Sequence, residues 1–372
     1  MIYYKMIDRR LVQNFDWKLL GLTLILSFVG IMTLYSAVTA GKSTTQDVLF
    51  IKQIIWYSAG FVLMIISFLF NYRVLDRWAF IIYGFCILLL ILVLVLGKSA
   101  GGSRRWLIMG PITFQPSEFA KLAVIFVLAR YYSKAASTNG LTLSELLAPA
   151  VLCIIPFALI VLQPDLGTAM LIILIAASMS LFVKIEKKAF IFILTSVALA
   201  IPTIWFFLRD YQKKRIITFL NPEYDPLGAG YHIIQSKIAI GSGMLTGKGF
   251  LKGTQSALSF LPEQQTDFIF SVFAEEWGFV GCLFLLFIFF MFIARCLKIS
   301  YGSRNNFGAI LSFGITALFM CHIVVNMGMA MGLVPVVGVT LPFISYGGSS
   351  IIVILVSIGI LLNISMRRFL FN

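Results

Sequence analysis

LPEQQTDFIFSVFAEEWGF, residues 261–279, decides how the whole chain is read. It closes the longest polar interval of a very apolar sequence and runs without a break into a hydrophobic segment reaching about residue 295. Asp267, Glu275 and Glu276 therefore stand at the mouth, or in the first turns, of a membrane helix. A carboxylate at bilayer depth costs roughly 2.5–3.5 kcal/mol, so such a group normally faces a cavity and marks function. The plain alternative is that these acids rest among headgroups or complement a helix N-terminus.

Composition supports the membrane reading. Of 372 residues, 60% are hydrophobic and 12% charged, with a mean hydropathy of +0.98. These values exclude an ordinary soluble domain and describe a polytopic helical membrane protein, all-α, folded as one unit over residues 1–372. A net charge of +14 would point to nucleic acid in a soluble chain; here it reflects basic loops on one side of a membrane. Five cysteines lie in or beside apolar runs without paired spacing, so neither a disulfide framework nor a zinc site is implied. His232 and His322 are far apart in sequence, which argues against a histidine metal site or a serine-type triad.

Apolar runs of membrane length predict about ten spans in one bundle: 17–39, 48–70, 76–97, 115–133, 145–163, 166–183, 188–208, 266–295, 307–332 and 341–365. The first is too long for a signal-peptide core and is read as a retained helix. Gln163-Pro164-Asp165 separates two nearly continuous spans as a tight turn, with Asp165 capping the second. An even number of spans puts both termini on one side. That side carries Lys5, Arg9, Arg10, Lys18, Arg73, Arg77, Arg130, Lys134, Lys184, Lys187, Lys188, Arg295, Lys298, Arg304, Arg367 and Arg368. Short segments on the other side hold only Lys42, Lys52, Lys98, Arg104 and Arg105. The positive-inside rule then makes both termini cytoplasmic and the long interval 209–265, before the eighth span, extracytoplasmic.

Four outer segments carry candidate chemistry. KSAGGSRRW, residues 98–106, reads as a glycine-rich loop holding cations where the rule disfavours them. In QPSEFAK, residues 115–121, Glu118 and Lys121 share a helix face at i,i+3. They make either a packing salt bridge or, with Arg105, an anion site whose lysine Glu118 orients. In the long loop, 231–240 has the pattern of a short amphipathic helix along the interface, with Gln235 in a supporting place. The run GSGMLTGKG, residues 241–249, superficially resembles a phosphate loop. It has Ser242 and Gly249 where that motif needs glycine and Ser/Thr, so nucleotide binding is rejected. Its amides and Lys248 could still meet a diphosphate, although turns are the commoner use of such glycines. LPFISYGGSS, residues 341–350, opens the last helix with small residues around Ser349, suited to an anion or to close packing. Asn326 needs a structural partner, and His322 reads as a satisfied interior histidine.

These motifs also carry a family resemblance. NMGMAMGLVPVVGVTLPFISYGGSS (326–350), QPSEFAK (115–121), QPDLGTA (163–169) and LPEQQTDFIF (261–270) are similar to the signatures of the SEDS family (shape, elongation, division and sporulation), which includes RodA, FtsW and SpoVE. The likeness covers nearly the whole chain, and KGTQSALSFLPE resembles the elongation subgroup, RodA. It implies polymerisation of lipid II into glycan strands at the outer face of the cytoplasmic (inner) membrane, with undecaprenyl diphosphate as leaving group. A class B penicillin-binding protein would be the partner, alongside other membrane proteins of the elongation complex, and nucleic acid would play no part. Asp267 corresponds to the family's proposed catalytic aspartate, and Arg105, Glu118, Lys121 and Asp165 fall at motif positions associated with function. Most relatives have histidine where this chain has Gln265, so no proton transfer is assigned to that position.

The residues fit such chemistry. Glycosyl transfer needs a base for the acceptor's proton, and a carboxylate at the membrane edge, Asp267, is the best candidate. The departing diphosphate needs cations or amides: Arg104, Arg105, Lys121, Lys248 and the Ser349 helix start. Glu275 and Glu276 support the site, either by tuning Asp267 or by pairing with a cation. A divalent ion such as Mg or Mn between Asp165, Asp267 and a diphosphate is compatible with the sequence, but no ligand spacing requires it. A lipid II flippase is the competing reading, along with the division-type paralogue and a scaffold that only recruits a transpeptidase. A flippase should carry polar residues across the full bilayer, whereas these cluster at outer helix ends.

Overall fold

The computed structural model describes residues 15–39, 44–100, 103–109, 112–135, 140–207, 210–225, 228–258, 260–261 and 263–367. Of the cations discussed above, Lys5, Arg9, Arg10, Lys42 and Arg368 lie outside them, as do the side chains of Lys98 and Arg104.

The apolar runs become long helices: α1 (Trp17–Thr39), α2 (Thr44–Leu69), α3 (Arg73–Leu96), α4 (Pro116–Ala135), α5 (Leu143–Leu162), α6 (Leu166–Val183) and α7 (Lys187–Phe207). The long loop contributes α8 (Asp210–Leu220), a 3-10 turn at Pro222–Tyr224 and α9 (Ala229–Ser242). The last three long helices are α10 (Ile269–Gly302), α11 (Asn306–Ala330) and α12 (Gly348–Arg367). Among the described residues eight helices are long and apolar enough to cross a membrane. The remaining two long ones are α4, which carries Glu118, Lys121, Arg130 and Lys134, and α7.

Burial grades the bundle. Of the most apolar window of α12, 89% is buried, and of α11 67%, against 22% for α2 and 28% for α3. The outer helices thus keep apolar faces for lipid. The core forms where α12 lies along α2 and α11 packs against α4, α6 and α10. At the end where α1 begins, Arg295 Nε bonds both carboxylate oxygens of Asp16 at 2.9 Å, while Asp16 also caps Leu19 N. Phe15, just before α1, packs edge-on against Phe68 at the end of α2, and Tyr72 N donates to Asn363 near the end of α12, so the first and last helices start and finish at one end of the bundle.

Three sequence expectations are corrected. The stretch expected as a loop before α4 supplies a three-stranded antiparallel sheet, β1 (Lys98–Ala100), β2 (Ser103–Met109) and β3 (Ile112–Phe114), with Ser99 opposite Arg104 and Leu107 opposite Phe114. Trp, Leu, Ile and Phe in short alternating runs suit a pleated surface, which the glycines and arginines obscured. Residues 341–347 are not helical; α12 opens only at Gly348. Finally, α10 breaks at Gly278, whose backbone (φ 63°, ψ −165°) is outside the range of a side-chain-bearing residue. The turn at 163–165 is as expected: α5 ends at Leu162, and Asp165 accepts from Thr168 N at 3.3 Å.

Candidate active site

Between the end of α11 and the start of α12 the chain runs irregularly, and much of this run is interior: Val339, Leu341, Phe343, Ile344 and Ser345 are buried. Non-helical backbone at membrane depth must find its hydrogen-bond partners within the protein. It does so here. Asn326 Nδ2 donates to Val339 O at 2.6 Å, and the Tyr57 hydroxyl donates to Phe343 O. Gln53 bonds Ser345 O at 3.2 Å and Gly347 N at 3.3 Å. This 337–350 segment meets Asp267 at Gly338 and the start of α6 at Val337, it contains Ser349, and it is the spine of the site.

Asp267 lies on a turn just before α10, and that turn is fastened to the spine through main-chain atoms. Asn326 Nδ2 donates to Asp267 O at 3.0 Å, Ser345 Oγ to Thr266 O at 2.6 Å, and Tyr346 N to Gln265 O at 2.8 Å. Gln264 Nε2 reaches across to Ala37 O of α1 at 2.9 Å. The carboxyl itself rests against Gly338, where a Cβ would come within 3.2 Å of Oδ2 and where φ is +71°. Asp267 is partly exposed. His232 of α9 stacks on the neighbouring Phe268 with rings nearly parallel, 7° and 6.1 Å between centroids. Burial holds that imidazole below its ordinary value, with Glu263 pulling the other way. Gln235 is half-buried one turn along the same helix.

The spine joins Asp267 to Asp165. A Cβ at Gly167 would collide with Val337 O, so the start of α6 presses directly on the residue preceding Gly338. Asp165 is 1% exposed and fully engaged. It takes bonds from Thr168 N, from Thr168 Oγ1 at 3.0 Å and from Gln115 Nε2 at 3.3 Å. Arg105 Nη1 stands 3.7 Å from it while Nη2 donates to Pro164 O at 3.1 Å. The Arg105 side chain is 26% exposed, and its buried Nε has no hydrogen-bond partner. Ser349 is buried at the start of α12, where its Oγ accepts from Gln115 N at 3.0 Å.

Lys121 lies in the interior of the bundle. It is 1% exposed, with Nζ 2.8 Å from Glu118 Oε1 and 2.8 Å from His322 Nε2. His322 Nδ1 is 3.0 Å from Thr340 O. A carbonyl only accepts, so Nδ1 carries the proton and Nε2 takes a hydrogen from the ammonium. Lys121 therefore orients a histidine that grips the spine at Thr340. Sequence reading missed this contact, because nothing local links positions 201 residues apart.

Glu275 and Lys248 face each other, not Asp267. Glu275 is fully buried; its Oε1 accepts from Lys248 Nζ at 2.7 Å, Thr254 N at 2.8 Å, Thr254 Oγ1 at 3.0 Å and Gln255 N at 3.1 Å. Glu276 accepts from Ser36 of α1. The glycine run 241–249 explains itself at the same place. The break at Gly278 frees backbone groups of α10, and the loop takes them up. Phe279 N bonds Met244 O at 2.9 Å and Val280 N bonds Leu245 O at 3.0 Å. In return Glu275 O and Glu276 O accept from Lys248 N and Gly249 N, each at 3.0 Å. Close backbone approach requires glycine here, since a Cβ at Gly247 would strike Glu276 O. The run laces α10 to the loop. Lys248, expected from the sequence to meet a diphosphate, is here the part-exposed partner of Glu275.

A helical membrane bundle with a half-exposed carboxylate set on a buried, irregular spine defines the class, and the chain belongs to the FtsW/RodA/SpoVE family of cell cycle proteins, whose model matches residues 15–369. Among individual relatives it is similar to the peptidoglycan glycosyltransferase MrdB of Escherichia coli K12, 42% identical over 348 residues, 93% of each chain. A solved structure concerned with coordinating polymerization and crosslinking in a peptidoglycan synthase complex matches with a TM-score of 0.81 and 31% identity, covering 95% of this chain and 98% of that one. RodA of Thermus thermophilus matches at 0.70 and 28%, covering 96% and 98%.

Proposed function

We propose that this chain, a peptidoglycan glycosyltransferase like its relatives, polymerises lipid II with Asp267 as the general base. The observation that carries the proposal is the setting of that carboxyl. It is partly exposed, lies on a turn fastened at Gln264, Gln265, Thr266 and its own carbonyl, and rests against a residue without a side chain. A partly exposed base on a fixed turn suits proton transfer in a bound complex. The acceptor hydroxyl oxygen attacks the anomeric carbon of the donor sugar. Its proton passes to Asp267, the bond from that carbon to the diphosphate breaks, and undecaprenyl diphosphate leaves with the electron pair. Attack opposite the leaving group inverts the anomeric centre.

Arg105 is the cation best placed for the departing diphosphate: it is part-exposed, Asp165 and Pro164 hold two of its nitrogens, and Nε is unpartnered. Arg104 is its neighbour on β2. Lys121, Glu118 and Ser349 act as positioning residues, and Lys248 and Glu275 as a scaffold. If a Mg or Mn ion takes part, Asp267 is the residue that would hold it, and the ion would offset charge on the departing diphosphate. Asp165 has its oxygens committed to Thr168, Gln115 and Arg105, and among the described residues no three His, Cys, Asp or Glu side chains converge.

The chain resides in the cytoplasmic membrane with both ends cytoplasmic and 209–265 outside, as its basic residues favour. It works in cell elongation with a class B penicillin-binding protein. Purified protein with that partner should convert lipid II to polymer and release undecaprenyl diphosphate. Transbilayer movement of labelled lipid II in proteoliposomes, with no polymer formed, would instead establish the flippase reading.

A further inference from the structure

A polar concavity lies at the end of the bundle away from Asp267, where α1 begins and α12 ends. Its volume is about 510 Å³, and Arg73, Arg77, Lys134 and Arg304 line it with Asp76 and Asn306. Three separate elements supply these cations: the first turns of α3, the last turn of α4 and the loop before α11. The one acid of the lining is answered from outside, since Arg130 Nε lies 3.9 Å from Asp76 and its Nη1 bonds Arg77 O at 2.7 Å. The concavity therefore holds a net excess of positive charge. Arg73 and Arg77 also occupy the start of α3, where the helix dipole disfavours a cation. Local helix preference does not account for them; the positive-inside bias favours them on this side, and their convergence with Lys134 and Arg304 on one concavity makes it suited to an anion.

Exposed apolar residues indicate what carries that anion. Val74, Trp78, Ile81 and Phe85 follow at i, i+4, i+7 and i+11 on α3, beside the Arg73–Arg77 edge, and are 47%, 53%, 61% and 61% exposed. Trp at a helix end marks headgroup level, and the stripe continues from it along a helix long and apolar enough to span the bilayer. A cationic cup at headgroup depth next to an apolar track is complementary to a phosphate joined to acyl chains. We propose that this pocket binds the phosphate of an anionic phospholipid in the leaflet on the side of the chain termini.

The test uses the full-length protein in neutral detergent, titrated with short-chain phosphatidylglycerol, phosphatidylcholine or inorganic phosphate, with thermal unfolding as readout. Phosphatidylglycerol should raise the midpoint and the other two should not. The Arg73→Gln/Arg77→Gln variant, whose helix start is relieved rather than weakened by the change, should unfold like wild type without lipid. It should need roughly 30-fold more phosphatidylglycerol for the same rise, at about 1 kcal/mol per basic residue. A Lys188→Gln/Lys298→Gln variant, which removes two exposed cations outside the pocket, should respond as wild type. An undiminished response of the Arg73/Arg77 variant, or equal losses in both variants, overturns the site. An equal rise with inorganic phosphate overturns the lipid as its source.

Discussion

Replacing Glu275 by alanine removes the acceptor on which four donor atoms of the 248–255 segment converge. Breaking a buried ion pair from one side costs about 3–5 kcal/mol, and an amide left without a partner roughly 1–3 kcal/mol. These terms share one geometry and do not add in full. Lys248 also offsets part of the loss, because its side chain is 26% exposed and can turn to water. The net expectation for Glu275→Ala is about 4 kcal/mol. Glu275→Gln keeps an oxygen for Thr254 N and Gln255 N but loses the charge-assisted component, and should cost about 1–2 kcal/mol. Tryptophan fluorescence on heating in detergent should show midpoints lowered on the order of 5–10 °C for alanine and a few degrees for glutamine. Limited proteolysis should cut within 243–258 faster in both. Glu275→Leu combined with Lys248→Met should lie above Glu275→Ala, since removing both partners leaves no stranded charge. An unchanged midpoint and digestion pattern together with abolished polymer synthesis would refute the reasoning and move Glu275 from the scaffold into the reaction.

Gly278→Ala forces a side chain into a backbone region that costs about 1–3 kcal/mol and against Gly243 O and Gly247 N, so its unfolding midpoint should fall. Gly84→Ala in α3, where an added Cβ meets nothing within 4 Å, should be neutral or stabilising in the same assay. Lys121→Met strands the Glu118 carboxylate in the interior and should cost about 3–5 kcal/mol, with Glu118→Gln added in the same chain recovering part. His232 is held in its neutral form by burial, with its folded value below the ordinary one. As pH falls through about 6.5 the unfolded chain takes up a proton that the folded one resists, so stability declines on that side. Unfolding midpoints at pH 7.5 and 5.5 should differ less for His232→Phe than for wild type.

The long helices were legible because bilayer thickness imposes one length on every apolar run, and Pro164 with Asp165 announced their own turn. The remainder depends on contacts that no local pattern encodes. Gly278 reads as an ordinary glycine in an apolar run until the loop 243–249 is seen taking the bonds it frees. Leu341–Ser345 has the hydropathy of a helix, yet Tyr57, Gln53 and Asn326, all from other elements or spans, satisfy its neighbourhood as irregular chain. For the site, residue types pointed to Asp267, Arg105 and Asp165. They could not separate the half-exposed Arg105 from the buried Lys121, because both are cations in motifs and only packing distinguishes them.

Lipid II polymerisation by Asp267→Asn, measured beside wild type with the same partner and with matching unfolding midpoints, bears most directly on the role given to that carboxyl. Loss of a positioned general base predicts a rate lower by about 10²–10⁴-fold with lipid II binding retained. A folded Asp267→Asn enzyme polymerising within a few-fold of wild type would contradict the account.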